Sequence, residues 1–238
     1  MTDTDFWTIL ENRISCSQED FAALLEELEG VCARSKFPMY GKTVYTARSS
    51  CLYVPNVEKA TQMACGKAAF SYKTTPMRDW DDAPAKIADI RKQLEEELEL
   101  EFDYVLCHIY RGRDDHIGFH RDSEALNSDI VSVSLGSTRR FQLRPIEQKS
   151  GFTHEYVVNN GDVLVMWGPD ETSGRSKGCQ RLYKHHVPKM SMKDVIRHLE
   201  QHNVPIPPGR KTNALVDSLC EQQGVSPMRI NLTFRCFE

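Results

Sequence analysis

Apolar positions along the chain fall first at helical spacing and then at strand spacing. From Ser17 to Cys32, Phe21, Leu24, Leu25 and Leu28 recur every three or four residues, and Ser17 with Asp20 forms a capping pattern, so a helix is expected there. Asp82 and Pro84 open a second helix, with Ile87, Ile90, Leu94 and Leu98 as its buried stripe and acids on its solvated side. Beyond Leu100 the period shortens to two. Phe102, Tyr104, Leu106, His108 and Tyr110 share one face of a strand. Further strands are expected at 130–135, 139–145, 155–159, 162–167, 181–187 and 229–236, divided by turn signals such as Asn160-Gly161. Two helices followed by a run of strands predict a β-dominated α+β fold, a sandwich or jelly roll with helices packed on one side. Residues 190–227 break the rhythm with helix (193–202), proline-rich link (204–209) and helix (212–223), a small insertion between the last two strands.

Composition narrows the class. The 238 residues suit one large β-rich domain, and 40% hydrophobic with 27% charged residues excludes a disordered or collagen-like chain. No apolar run approaches the roughly 20 residues that span a bilayer, and the acidic start Met-Thr-Asp-Thr-Asp does not read as an export signal. Eight cysteines without a CxxC pair suggest neither a zinc framework nor a disulfide scaffold; reduced, buried thiols are expected. A net charge of −4 argues against a grip on nucleic acid by bulk charge, leaving local basic clusters at Arg139-Arg140, Arg144 and from Arg175 through Lys189 as phosphate contacts.

Candidate chemistry lies in two places. In His120-Arg121-Asp122, residues two apart point the same way, so both could face one metal. Two histidines and a carboxylate with open positions make the facial site of non-haem Fe(II) oxygenases; His154, His185, His186, His198 and His202 are the candidates for the missing ligand. On the terminal strand, alternation puts Arg229, Asn231, Thr233 and Arg235 on one face and Ile230, Leu232, Phe234 and Cys236 on the other. That polar face is either an exposed edge or the lining of a cavity, and two guanidiniums there suit a dicarboxylate.

Together, HxD, a later histidine and a terminal RxNxTxR resemble the AlkB family of Fe(II)- and 2-oxoglutarate-dependent dioxygenases. The resemblance runs collinearly from about Phe37 to Arg235 and includes Asp115-His-Ile-Gly-Phe-His-Arg-Asp122, Val131-Ser-Val-Ser-Leu-Gly136 and Asn231-Leu-Thr-Phe-Arg235. It is nearest to the eukaryotic members that repair alkylated nucleobases. It implies a double-stranded β-helix (jelly roll) core flanked by helices, with 1–36 as an N-terminal helical extension, 37–238 as the dioxygenase domain and 190–227 as the insertion. His120, Asp122 and His185 would bind iron, His185 because His185-His-Val-Pro-Lys189 resembles the family's His-x-Val-Pro-Lys. For the co-substrate, Arg229 would pair with the distal carboxylate of 2-oxoglutarate, supported by Asn231, while Arg235 lies near the iron-side carboxylate. Tyr110 matches a tyrosine that helps hold it, and His108 stands where the family commonly has asparagine.

Toward substrate, Glu124 matches an acidic residue that meets the base, Tyr40 an aromatic wedge behind a flipped base, and Arg48 its supporting arginine; Phe70 and Tyr72 resemble an aromatic lid. The implied activity is oxidative dealkylation of N-alkylated nucleobases in DNA or RNA, such as N1-methyladenine and N3-methylcytosine, consuming O2 and 2-oxoglutarate and releasing formaldehyde. Other readings are the same iron chemistry on another substrate, modified RNA or a protein side chain, or a non-catalytic nucleic-acid-binding module. A monomer acting in the nucleus or cytoplasm, away from membranes, is expected. The insertion resembles SAP-type DNA-binding modules, with Val195, Leu199, Leu215 and Leu219 as its core and Arg197, Arg210 and Lys211 toward phosphate.

Overall fold

The described residues begin with β1 (Trp7–Leu10), α1 (Gln18–Glu29), β2 (Lys36–Met39), β3 (Lys42–Tyr45), β4 (Ser49–Val54), α2 (Val57–Cys65), β5 (Met77–Asp79) and α3 (Ala85–Leu98). Strands β6 (Tyr104–Tyr110), β7 (Ile117–His120), β8 (Ile130–Gly136), β9 (Arg139–Pro145), β10 (His154–Val158) and β11 (Val163–Met166) follow. The chain closes with α4 (Cys179–Leu182), β12 (Tyr183–Val187), α5 (Met192–Gln201), α6 (Asn213–Gln222) and β13 (Arg229–Arg235). This computed structural model describes residues 6–39, 41–65, 72, 74–209, 211–223, 225 and 227–237.

A seven-stranded sheet ordered β1-β11-β8-β13-β6-β4-β5 faces a four-stranded sheet ordered β10-β9-β12-β7, with β2 and β3 as a separate ribbon. Residues of both sheets meet in one interior cluster, Ile130, Leu164 and Met166 from one side, Phe141, Leu143 and Tyr183 from the other. The result is a jelly-roll sandwich. Strand β13 lies centrally, antiparallel to β8 and β6, with Arg229 opposite Gly136 and Tyr110. Its apolar residues Ile230, Leu232 and Phe234 turn outward onto α1 and α3, packing with Leu24, Leu28, Ile87, Ile90 and Leu94. Burying each such side chain contributes about 1.5–3 kcal/mol. A period of two then commits Arg229, Asn231, Thr233 and Arg235 to the interior, and all four are buried. The edge-strand alternative is excluded.

Helix α1 starts on a complete capping box, with Asp20 N–H donating to Ser17 Oγ at 3.0 Å and Ser17 N–H to the Asp20 carboxylate at 3.1 Å. Residues 1–36, expected as a helical extension, also supply β1, which pairs with β11 as an edge of the main sheet. Gly161 secures that segment: its carbonyl accepts from the backbone N–H groups of Arg13 and Ile14 at 2.9 Å. At φ +86° a Cβ there would stand 2.3 Å from the Ile14 carbonyl oxygen, so only glycine fits. The boundary at 36/37 therefore marks no break in the sandwich.

Between β12 and β13, α5 and α6 enclose a core of Met190, Val195, Leu199, Val204, Val216 and Cys220. Leu215, expected in this core, is only half-buried; the Thr212 cap phases α6 so that Val216 and Cys220, four apart, face inward. Polar bonds tie this unit to the sandwich, from Arg140 Nε to Asp194 at 3.1 Å and from Thr138 Oγ1 to Gln201 at 2.9 Å.

Candidate active site

Three side chains converge at one end of the interior. His120 ends β7, Asp122 follows it, and His185 lies on β12, directly opposite His120 in the sheet register. One ligand atom from each lies within 4.8 Å of the others. Asp122 stands 3.7 Å from His120 Nε2 and 3.6 Å from His185 Nε2. His120 Nδ1 donates to the Gly118 carbonyl at 2.9 Å, which turns the lone pair of Nε2 toward the group. Burial holds His120 below its ordinary pKa and brings His185 down to about 3, with the neighbouring His120 adding to the fall at His185. Burial alone would raise Asp122, but Arg235, His185 and His120 hold its carboxyl at about 2. Two neutral imidazoles and a carboxylate are thus the states present at neutral pH, which is the donor set a divalent iron takes.

His186 belongs to the other face. Strand alternation turns it outward, where its Nδ1 meets Gln142 at 3.0 Å and its ring lies 4.6 Å from that of Phe119.

The polar face of β13 adjoins the triad. Arg235 is 3% exposed at its side chain, 3.0 Å from Asp122, and donates to both Tyr72 Oη at 2.6 Å and Glu124. Tyr72 also donates to Glu124 Oε1. Arg229 donates through Nη2 to Ser134 at 2.9 Å, while its Nε and Nη1 are buried without a hydrogen-bond partner among the described residues. An unspent, buried guanidinium is what a carboxylate ligand would complete. Asn231 gives both amide hydrogens to the protein itself, to Ser132 Oγ at 2.9 Å and the Val133 carbonyl at 2.7 Å. Tyr110 is fully buried with the Arg229 guanidinium 5.1 Å from its ring.

His108 is fixed from one side. Ser50 Oγ lies 2.7 Å and Arg48 Nε 3.3 Å from its Nδ1. Arginine can only donate, so Nδ1 accepts and the ring proton sits on Nε2. Burial, then Arg48, keeps the ring well below its ordinary pKa and hence neutral. A cavity of about 270 Å³ lined by Arg48, Ser50, Tyr72, His108, His120, Asp122, Glu124 and Arg235 opens from this group. A larger one, about 640 Å³, lies beside α6 and touches none of the triad. Tyr40, Phe70 and Arg210 lie outside the described residues.

The expected basic clusters behave differently. Arg139 is 1% exposed and faces the interior. Arg140 is spent on Asp194 and Glu155, Arg144 lies 4.0 Å over the Phe119 ring, and Arg175 pairs with Asp170. Alternation along β9 explains the split, since 139 and 140 must point to opposite faces. One supporting residue gave no sequence signal: Gln180, buried on the single-turn α4, accepts from the Asp122 N–H at 2.9 Å. Ser132 and Ser134 were visible as inward-facing polar residues in an otherwise apolar strand.

A family model described as the 2OG-Fe(II) oxygenase superfamily matches residues 7–235. Alpha-ketoglutarate-dependent dioxygenase alkB homolog 3 of Homo sapiens is 25% identical over 134 residues, 52% of this chain and 44% of the relative. DNA oxidative demethylase ALKBH2 of Bos taurus is 35% identical over 80 residues, 30% of this chain and 29% of the relative. The chain thus spans less than half the length of these curated relatives. Among solved structures, OsALKBH1 is 17% identical with a TM-score of 0.48 over 97% of each chain.

Proposed function

The chain belongs to the 2OG-Fe(II) oxygenase superfamily, and from that premise we propose that it oxidatively dealkylates N-alkylated nucleobases in DNA or RNA. Its cofactors are Fe(II) and 2-oxoglutarate, and the residues present fit both. His120, Asp122 and His185 would hold the iron, which with O2 and 2-oxoglutarate supplies the oxidation of an N-methyl C–H bond; the hydroxymethyl product then leaves as formaldehyde. Arg229 takes the distal carboxylate, with Tyr110 beside it and Asn231 bracing the strand through β8. Arg235 keeps Asp122 ionised and stands next to the iron-side carboxylate. His108 Nε2–H offers the donor that the family's asparagine supplies.

The observation that carries the substrate reading is the acidic edge of the 270 Å³ cavity. Glu124 receives Arg235 and Tyr72 on Oε1, so we assign Oε2 to the cationic N-methylated base, whose charge a carboxylate in a low-dielectric pocket favours. Tyr72 closes the pocket and Arg48 lines it; Tyr40 and Phe70 complete the reading as wedge and lid. The name of the matched ALKBH2 relative, a DNA oxidative demethylase, supports the same substrate class.

The catalytic residues are assigned to 37–238, on a sandwich whose edge strand β1 comes from 1–36, with Arg197 and Lys211 of the insertion as phosphate contacts and Lys193, one turn before Arg197 on α5, added to them. We take the protein as a monomer of the nucleus or cytoplasm; seven described cysteines, all free thiols, favour a reducing compartment. Among the described residues no helix is long and apolar enough to cross a membrane. Mass spectrometry of single- and double-stranded DNA and RNA carrying N1-methyladenine or N3-methylcytosine tests the reading: loss of 14 mass units per lesion (roughly one CH2) is expected. Oxidation of 2-oxoglutarate with every methylated strand left intact would refute it.

A further inference from the structure

Arg139 is buried in the sandwich with no acidic partner among the described residues, although a lone buried cation is costly to desolvate. Its Nη2 donates to the carbonyls of Gly112 at 2.8 Å and Pro227 at 3.1 Å; its Nε and Nη1 have no partner among the described residues. Its guanidinium stands 5.7 Å from the Tyr110 ring, against which Arg229 also stands, at 5.1 Å. Arg229 likewise has no acidic partner among the described residues. The two acids whose fields reach Arg139 are already engaged: Asp115 by the Arg111 N–H at 2.8 Å and Arg34 at 3.3 Å, and Asp194 by Arg140 at 3.1 Å. Burial and then the Arg229 charge bring Arg139 down to about 10, so it remains protonated at neutral pH.

Two buried positive charges around one phenol, with four guanidinium nitrogens between them lacking a hydrogen-bond partner among the described residues, make a place that lacks an anion. Bracing alone would need only the two carbonyl bonds of Nη2, which a neutral amide could make. We propose that Arg139 is the second positive charge of the seat for the distal carboxylate of 2-oxoglutarate, acting with Arg229 and Tyr110 to select a dicarboxylate over a monocarboxylate. It is a specificity-determining residue that raises the positive potential where that carboxylate sits. The inference rests on the proposed co-substrate site and adds a residue from β9, an element outside the terminal strand. Its tie to Pro227 also joins this seat to the end of the insertion.

The test is calorimetric titration of Mn(II)-loaded protein with 2-oxoglutarate and with 2-oxopentanoate, which keeps the metal-binding 2-oxoacid end and lacks the distal carboxylate. Arg139→Gln can keep the carbonyl bonds and loses the charge. It is expected to weaken 2-oxoglutarate roughly tenfold or more, as a unit charge at a few ångströms in a partly desolvated site allows, while 2-oxopentanoate changes less than about twofold. Arg139→Lys should restore most of the loss, and equal melting temperatures confirm that the fold is kept. If Arg139→Gln leaves the preference for 2-oxoglutarate over 2-oxopentanoate intact, or weakens both ligands equally, Arg139 only braces the sheet and the proposal fails. If wild-type protein itself binds neither 2-oxoacid, it is the co-substrate reading that fails.

Discussion

His185 and His186 are chain neighbours in opposite surroundings. One is enclosed with Asp122 and His120, and the other packs on Phe119 outside the sheet. Replacing His185 by alanine should abolish Mn(II) or Co(II) binding measured by calorimetry, because one of three ligands is removed. His186→Ala should leave metal affinity within about twofold of wild type, since it faces away from the triad. The reverse result would reassign the third ligand. At the other end of the site, Arg229→Ala should raise the 2-oxoglutarate KM roughly thirtyfold to several-thousandfold, the consequence of losing a buried charge-assisted pair worth about 2–5 kcal/mol. An unchanged KM would place the anion elsewhere.

At the scale of elements, much of the site was readable because strand alternation is a rigid rule. One face of β13 had to be apolar to cover α1 and α3, so the other delivered Arg229 and Arg235 inward together. The HxD pair followed by the same logic. What could not be read was pairing between distant segments: that β7 lies against β12, bringing His120 opposite His185, depends on register over some 65 residues of chain (120 to 185), which no local pattern encodes. Gln180, in one helical turn, and Arg139, hidden in what looked like a surface basic cluster, were missed for that reason. The insertion shows the same limit, with Val216 rather than Leu215 in its core. Its exposed Lys193 and Arg197 lie on α5. The double substitution Lys193→Glu with Arg197→Glu should weaken binding to long DNA and lower the slope of log affinity against log salt by about 2, with DNA-independent 2-oxoglutarate turnover unchanged. A slope equal to wild type would reduce the insertion to a brace.

Over the whole molecule, the site is a polar interior enclosed by two apolar cores, and that arrangement sets how stability responds to acid. Burial holds His185 at about 3 and His186 at about 4, and keeps His108 well below its ordinary range. In the unfolded chain all three titrate near 6.5. The metal-free protein is therefore fully stabilised by them above that pH and loses stability as pH falls from about 6.5 toward 4, enclosed His185 and His108 each adding up to about 1.4 kcal/mol per pH unit and half-buried, solvent-screened His186 less. Asp122, held at about 2, contributes its own loss only below about 3.8, as pH falls toward its folded value. Urea midpoints of the metal-free protein should drop between pH 7 and 5, and His186→Gln should flatten that drop; a midpoint constant across the range would contradict the buried-neutral assignment. The central claim, that this enclosed site couples 2-oxoglutarate oxidation to removal of a methyl group from a nucleobase, is tested most directly by stoichiometry. Succinate, formaldehyde and unmethylated base should be measured together on an oligonucleotide with a single N1-methyladenine or N3-methylcytosine. The three are expected in equal amounts with wild-type protein and absent with Asp122→Ala, whereas succinate formed without matching formaldehyde and restored base on any DNA or RNA strand would contradict the account.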